Sequence, residues 1–362
     1  MHSRFRGNSF FFLILIFFGA CSEEFTSRLD PLTNALGIAS QVTVITDEDM
    51  WVGTVGDTFE YYFGAAYPIL PQPEPLFDLR HFTPQDLAED GLRKQLRTYV
   101  LLADLSKSDS PTTKLVVKDL GPAKVTKARE EEDYHMAVGY DRWARGQIVI
   151  YLFANSQEEL MEQIGNRFPS MAKRINDFDE EKVVATVYLA GSSQKLNPLV
   201  EETYQMKMDI PNDYFLAIQE GKTIWLRKET DFLSSNILMT EVPYTSKDQF
   251  SKKGLKRLRD SLGLKYVSTS SEATFMRIND TDLPMVVTPK NLGGSFGVEA
   301  RGIWEIENDF MGGPFLSYAV LAPDNSRVIF IDGFVHAPSK EKRKFMQRLE
   351  VIFKSINFPA NQ

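Results

Sequence analysis

The sequence predicts an α+β fold: two mixed modules of largely antiparallel sheet with packed amphipathic helices. Three observations predict it. Residues 147–153 read as a buried strand, unbroken in apolar residues after Gln147, and Ser156 follows as a helix cap. Near the end, Phe345, Leu349, Ile352, Phe353 and Ile356 make one stripe at helical spacing. Further short apolar runs lie throughout, separated by turn-forming clusters.

In chain order, Val42–Thr46 reads as a strand. Asp47 then caps a segment with Trp51, Val55 and Phe59 on one helical stripe, weakened by Gly53 and Gly56. Pro68, Pro71, Pro73 and Pro75 preclude a helix between Tyr67 and Asp78 and favour a stiff, extended segment. Thr98–Leu105 and Leu115–Val117 read as strands, and Glu130–Asp133 as a solvated loop or helix end. Ser156 and Glu159 form a capping box ahead of Leu160 and Ile164, and Pro169 interrupts that helix. Val183–Leu189 reads as another strand. Gly191–Pro198 is the linker expected between an N-terminal module (41–197) and a C-terminal module (198–358).

In the second half, strands are expected at Phe215–Ile218, Thr223–Arg227, Asn236–Glu241, Ile303–Ile306, Phe315–Leu321 and Val328–Ile331. A helix is expected from Ser246 to Leu262, and Ser339 caps the closing helix. The bases Lys340, Lys342, Arg343, Lys344 and Arg348 around that helix read as a solvated outer face, with a binding face as the alternative. Both halves end in an apolar strand, a Ser cap and an amphipathic helix, the pattern an internal duplication would leave.

Before all of this comes an export signal. Arg4 and Arg6 precede the apolar run Phe10–Phe18, too short for a spanning helix, which needs about 20 apolar residues. Gly19 and Ala20 are small, and Cys21, the only cysteine of 362 residues, follows them. The junction resembles a bacterial lipobox, although Phe18 stands where Leu is usual. It implies a signal peptide over 1–20, lipidation of Cys21 and a lipidated tether over 21–40, so the expected membrane contact is through the N-terminal lipid. Ser22 argues against retention at an inner membrane. With Glu23 and Glu24 it resembles the surface-export signal of Bacteroidota lipoproteins. The outer membrane is therefore expected, at the cell surface or on its periplasmic face.

The net charge of −8, near −10 once Arg4 and Arg6 leave with the signal, makes nucleic acid an unsuitable partner. With Cys21 acylated no disulfide is possible, so the fold rests on burial, for which an apolar content of 43% is ample.

Candidate chemistry is sparse. Gly293-Gly294-Ser295-Phe296-Gly297 matches the G-x-S-x-G pattern, and Asp324 or Asp332 and then His336 follow in α/β-hydrolase order. The helix such an elbow needs after Ser295 is not predicted. His81, His135 and His336 have no metal-binding spacing, and Asn279–Asp282 lacks the glycine and final glutamate of a calcium loop. No cofactor motif is present. Gly312-Gly313-Pro314 is expected to form a tight turn. Trp304, Phe310, Gly312, Gly313 and Phe315 are the candidate binding loop, against a reading in which these aromatics enter the core.

With 70–79 and 332–338, this segment resembles an uncharacterised Bacteroidota lipoprotein family whose domain has no assigned function. The resemblance implies an envelope lipoprotein and supplies no catalytic residues. The expected function is ligand or partner binding, to a protein or glycan, without catalysis. The alternative is an envelope hydrolase, serine esterase-like through Ser295 or a carboxylate-based glycosidase.

Overall fold

The computed structural model describes residues 32–359. The expectations for residues 1–20, Cys21, Ser22, Glu23 and Glu24 therefore lie outside the described residues. Two sheets and nine α-helices among the described residues make an α+β fold, with antiparallel ladders in the majority.

The first sheet has the order β2-β1-β3-β5-β4. Its strands are β1 (Gln41–Ile45), β2 (Asp78–Phe82), β3 (Thr98–Asp104), β4 (Met136–Tyr140) and β5 (Ile148–Ala154). β2, β1, β3 and β5 run parallel, and only β4 is antiparallel, against β5. All seven residues of β3 and of β5 are buried, as strands covered on both faces must be. Helix α1 (Glu48–Trp51) is separated from α2 (Thr54–Phe63) at Gly53. On one face lie α2, through Val55, Phe59 and Phe63, and the long α6 (Gln157–Val187), through Leu160, Ile164, Met171 and Ile175. The other face carries α3 (Pro84–Glu89), α4 (Pro111–Leu120) and α5 (Pro122–Glu130).

The second sheet has the order β10-β11-β12-β13-β8-β7-β6, with β9 also pairing β11, and every ladder in it is antiparallel. Its strands are β6 (Phe215–Glu220), β7 (Thr223–Thr230), β8 (Leu233–Pro243), β9 (Met276–Asn279), β10 (Val286–Leu292), β11 (Ser295–Ile306), β12 (Gly312–Leu321) and β13 (Arg327–His336). α7 (Leu196–Tyr204) and α9 (Arg343–Lys354) cover one face, and α8 (Lys252–Tyr266) covers the other. A mostly parallel sheet beside an antiparallel one is not one topology used twice, so the similar endings of the halves are not a duplication.

Several local expectations give way to packing. Leu115–Val117 is helical, in α4, because Ser110 caps that helix and Pro111 opens it. Val183–Leu189 is no strand either: α6 continues to Val187 and passes through Pro169. A proline inside a helix costs roughly 3 kcal/mol. Here the buried stripe on both sides of Pro169, from Leu160 to Ile175, faces one core and holds the helix together. The end of α6 then joins the second core through Val187, so one helix serves both sheets.

Ser339 does not cap the closing helix. It sits in a left-handed turn (φ 58°), and α9 starts at Arg343. Its cap comes from the Pro-rich segment: Glu74, 8% exposed, accepts the backbone N–H groups of Lys342 (2.6 Å) and Arg343 (2.8 Å). Arg343 also reaches the Pro75 carbonyl and the Asp78 carboxylate. Lys342 and Arg343 are thus buried, so neither lies on a solvated outer face. Nearby, Ser40 ties three elements: its N–H donates to Asp179, its carbonyl accepts from Asp78, and its hydroxyl accepts from Gln347.

Candidate functional site

In the first sheet the chain leaves β1 for β2 on one side, while β3 lies on the other. That pair is a topological switch point, and in parallel sheets ligands bind outside the carboxyl ends of strands at such a point. A cleft of about 770 Å³ lies there. Its walls are Asp47 with the first residues of α1 (Glu48 and Asp49) after β1, the loop after β3 from Ser106 to Ser110 with Pro111 at the start of α4, and Thr83 and Gln85 after β2.

The loops are held by their own polar groups. Asp47 stands at the N-cap position of α1, but its side chain makes no capping bond there. Its carboxylate crosses to the start of α4, accepting from the Thr112 N–H (3.1 Å), the Thr112 hydroxyl (2.7 Å) and the Ser110 hydroxyl. A negative charge at a helix N-terminus is stabilising. Buried Asp104, ending β3, accepts from the N–H (3.0 Å) and hydroxyl (2.6 Å) of Ser106. His81 stacks on Trp51 at 4.8 Å, and its Nε2 lies 3.0 Å from the Thr46 carbonyl. The side chains left facing solvent are mostly acidic: Glu48, Asp49 and Asp109, with Lys107 3.6 Å from Asp49. Such a rim offers acceptors to hydroxyl and ammonium groups.

The candidate binding loop is placed differently from its sequence reading. Trp304 and Phe315 are buried in the core under α8. Gly312 and Gly313 lie inside β12, paired with Glu305 and Trp304, and the turn falls at Glu307 and Asn308. Gly313 is there for close approach: a Cβ on it would lie 2.0 Å from the Val335 carbonyl oxygen. Phe310 alone of the five projects into solvent.

The serine-hydrolase geometry is not assembled. Gly293 and Gly294 turn the β10–β11 hairpin, and Ser295 begins a strand, not a helix. Through β12, Ser295 falls at the Arg327 end of β13, while His336 ends that strand. At about 3.3 Å per residue the length of β13 puts roughly 30 Å between them. Asp332 is buried on Arg259 (2.9 Å) and Ser317 (2.6 Å), and Asp324 is engaged with Ser326 and Arg327. Among the described residues, no three His, Cys, Asp or Glu side chains gather as a metal site.

The cleft was missed because its residues are close only through parallel pairing. The signal for it was present, in two apolar strands (Val42–Ile45 and Thr98–Leu105), each running into acidic or serine-rich residues.

Comparison with known families agrees with an uncharacterised family. Residues 192–355 match the model of a domain of unknown function, DUF4837. Residues 35–186 match a second domain of unknown function, DUF8532. The cleft lies wholly within the DUF8532 match. No curated protein matches the chain. Among solved structures, LpqN, described as involved in cell envelope biogenesis of Mycobacterium tuberculosis, aligns at 13% identity and a TM-score of 0.27, over 42% of this chain and 82% of its own. Clostridium butyricum Argonaute bound to guide and target DNA aligns at 8% identity and a TM-score of 0.17, over 90% of this chain and 46% of its own. Both scores are too low for a shared fold, and neither likeness bears on function. Among the described residues, no helix is long and apolar enough to cross a membrane.

Proposed function

We propose that this chain is a lipid-anchored outer-membrane protein of Bacteroidota that binds a hydroxyl- or amine-bearing envelope ligand, such as a glycan, in the cleft after β1 and β3. The observation that carries the reading is the cleft's position at the switch point between those strands. Half-buried Asp47 and, behind the wall, buried Asp104 are engaged in holding α4 and the Ser106 turn, while Glu48, Asp49 and Asp109 stand on an exposed rim in long, solvent-screened ion pairs. That arrangement suits recognition better than hydrolysis, which needs an unengaged acid or nucleophile poised over the substrate.

Anchoring at Cys21 suits the same geometry. Ala35 and Leu36 donate to the carbonyls of Arg145 and Gln95, just before β5 and β3. The chain therefore enters the first sheet at its amino edge, opposite the cleft. The start of the described chain thus lies on the side of the sheet away from the cleft, where a lipid anchor does not obstruct it.

The test uses the full chain purified in neutral detergent, titrated calorimetrically with amino sugars and neutral oligosaccharides. Saturable binding, weakened at least tenfold by Asp49→Asn with Asp109→Asn, is expected. No binding, or binding that ignores these exposed substitutions, overturns the ligand reading. Cys21→Ala should release the chain from the membrane fraction, and retention there overturns the anchor.

A further inference from the structure

A second cleft, of about 290 Å³, opens on the seam where α6 meets α9. Its charge is opposite to that of the molecule. Lys182 of α6 and Arg343, Lys344 and Arg348 of α9 line it, against the carboxylates of Asp78 and Glu341. Arg343 is engaged with Asp78 at 2.6 Å. Among the described residues, Lys182, Lys344 and Arg348 have no carboxylate within 4 Å. Arg348 and Lys182 are half-buried, and the Arg348 guanidinium lies 5.7 Å from the Phe345 ring. A half-buried guanidinium without an anionic partner carries a desolvation cost that a bound anion offsets. Its planar fork fits phosphate oxygens. Ile38, Ala39 and Val183 supply an apolar wall beside the cations.

We propose that this seam cleft binds a phosphate-bearing ligand. Arg348 and Lys182 flank the phosphate from two helices, Lys344 adds charge at the mouth, and Ile38 and Val183 receive the apolar part. The cleft lies beside residues 38 and 39, where the chain enters the fold. A phospholipid headgroup can therefore reach it if Cys21 is acylated, and a soluble phosphate compound presents the same chemistry. The anion site does not depend on the glycan cleft, because the two share no residue.

The experiment is calorimetric titration of the full chain in neutral detergent with dihexanoyl phosphatidylglycerol and with inorganic phosphate. Saturable binding is expected, weakened at least tenfold by Lys182→Gln with Arg348→Gln and by an intermediate factor by Arg348→Lys, which keeps the charge but loses the fork. Lys344→Gln, on an exposed side chain, should weaken it severalfold and reads the site even if the double variant folds poorly. Binding of phosphatidylglycerol alone assigns the lipid source; equal binding of phosphate assigns a soluble one. The proposal is overturned if neither anion saturates, or if charge removal at these three positions leaves binding unchanged.

Discussion

The Oε2 atom of Glu74 accepts the backbone N–H of Arg343 at 2.8 Å, joining positions 269 residues apart in the chain. With the bond to Lys342, one carboxylate satisfies two donors that the first turn of α9 cannot satisfy itself. Glu74→Ala leaves both N–H groups buried without a partner. It should cost about 2–3 kcal/mol, and Glu74→Gln roughly half of that. Urea unfolding of the full chain measures both. An unchanged midpoint in Glu74→Ala would mean that water replaces the carboxylate.

That contact also shows how far sequence alone carried. The α9 stripe was legible because Phe345, Leu349, Ile352 and Phe353 repeat at 3.6-residue spacing, and all of them are buried. Its cap was not legible, since the capping group lies in a proline-rich segment in the other half of the chain. β3 and β5 were legible as apolar runs. Their parallel pairing, and hence the cleft at their ends, was not, because register between distant strands leaves no local mark. Leu115–Val117 misled through its β-branched valines, while Ser110 and Pro111 carried the correct helical signal. Phe310 and Trp304 look alike as sequence, yet hairpin register sends one to solvent and the other to the core.

Arg259 and Asp332, each 1% exposed, form an ion pair between α8 and β13 at 2.9 Å. The Phe315 ring lies 4.0 Å from the guanidinium, while Arg259 Nη1 and Asp332 Oδ2 have no partner. Asp332→Ala strands a buried cation and should cost about 3–5 kcal/mol. Arg259→Met combined with Asp332→Leu removes both charges and should be less destabilised than Asp332→Ala. Chemical denaturation of the three proteins decides this. A double variant no better than the single one would show that the pair has a role beyond mutual neutralisation.

Gly313 and Gly91 make a matched pair of glycine substitutions. A methyl group on Gly313 meets the Val335 carbonyl at 2.0 Å, backbone that the sheet holds in place, whereas nothing lies within 4 Å of one on Gly91. Gly313→Ala should therefore destabilise by roughly 3 kcal/mol, and Gly91→Ala by no more than about 0.5 kcal/mol. Thermal unfolding of both variants checks the contrast. Equal midpoints would mean that β12 and β13 can part without loss.

Asp179 supplies the pH dependence of the seam. Burial raises its carboxyl above the ordinary carboxylate range, although the Ser40 N–H and the Arg97 guanidinium pull the other way. Its Oδ1 has no hydrogen-bond partner, and Arg97 stands 3.6 Å from it. Between the ordinary value, about 3.9, and the raised one, the folded chain binds more protons than the unfolded chain. Stability from this group is therefore fully present below the window, falls as pH rises through it and is level above it. Asp179→Asn removes the titration. The thermal midpoint of the native chain relative to Asp179→Asn should thus be highest in mild acid and decline toward neutral pH. A difference that stays constant across that range would mean that Asp179 titrates alike in the folded and unfolded chains.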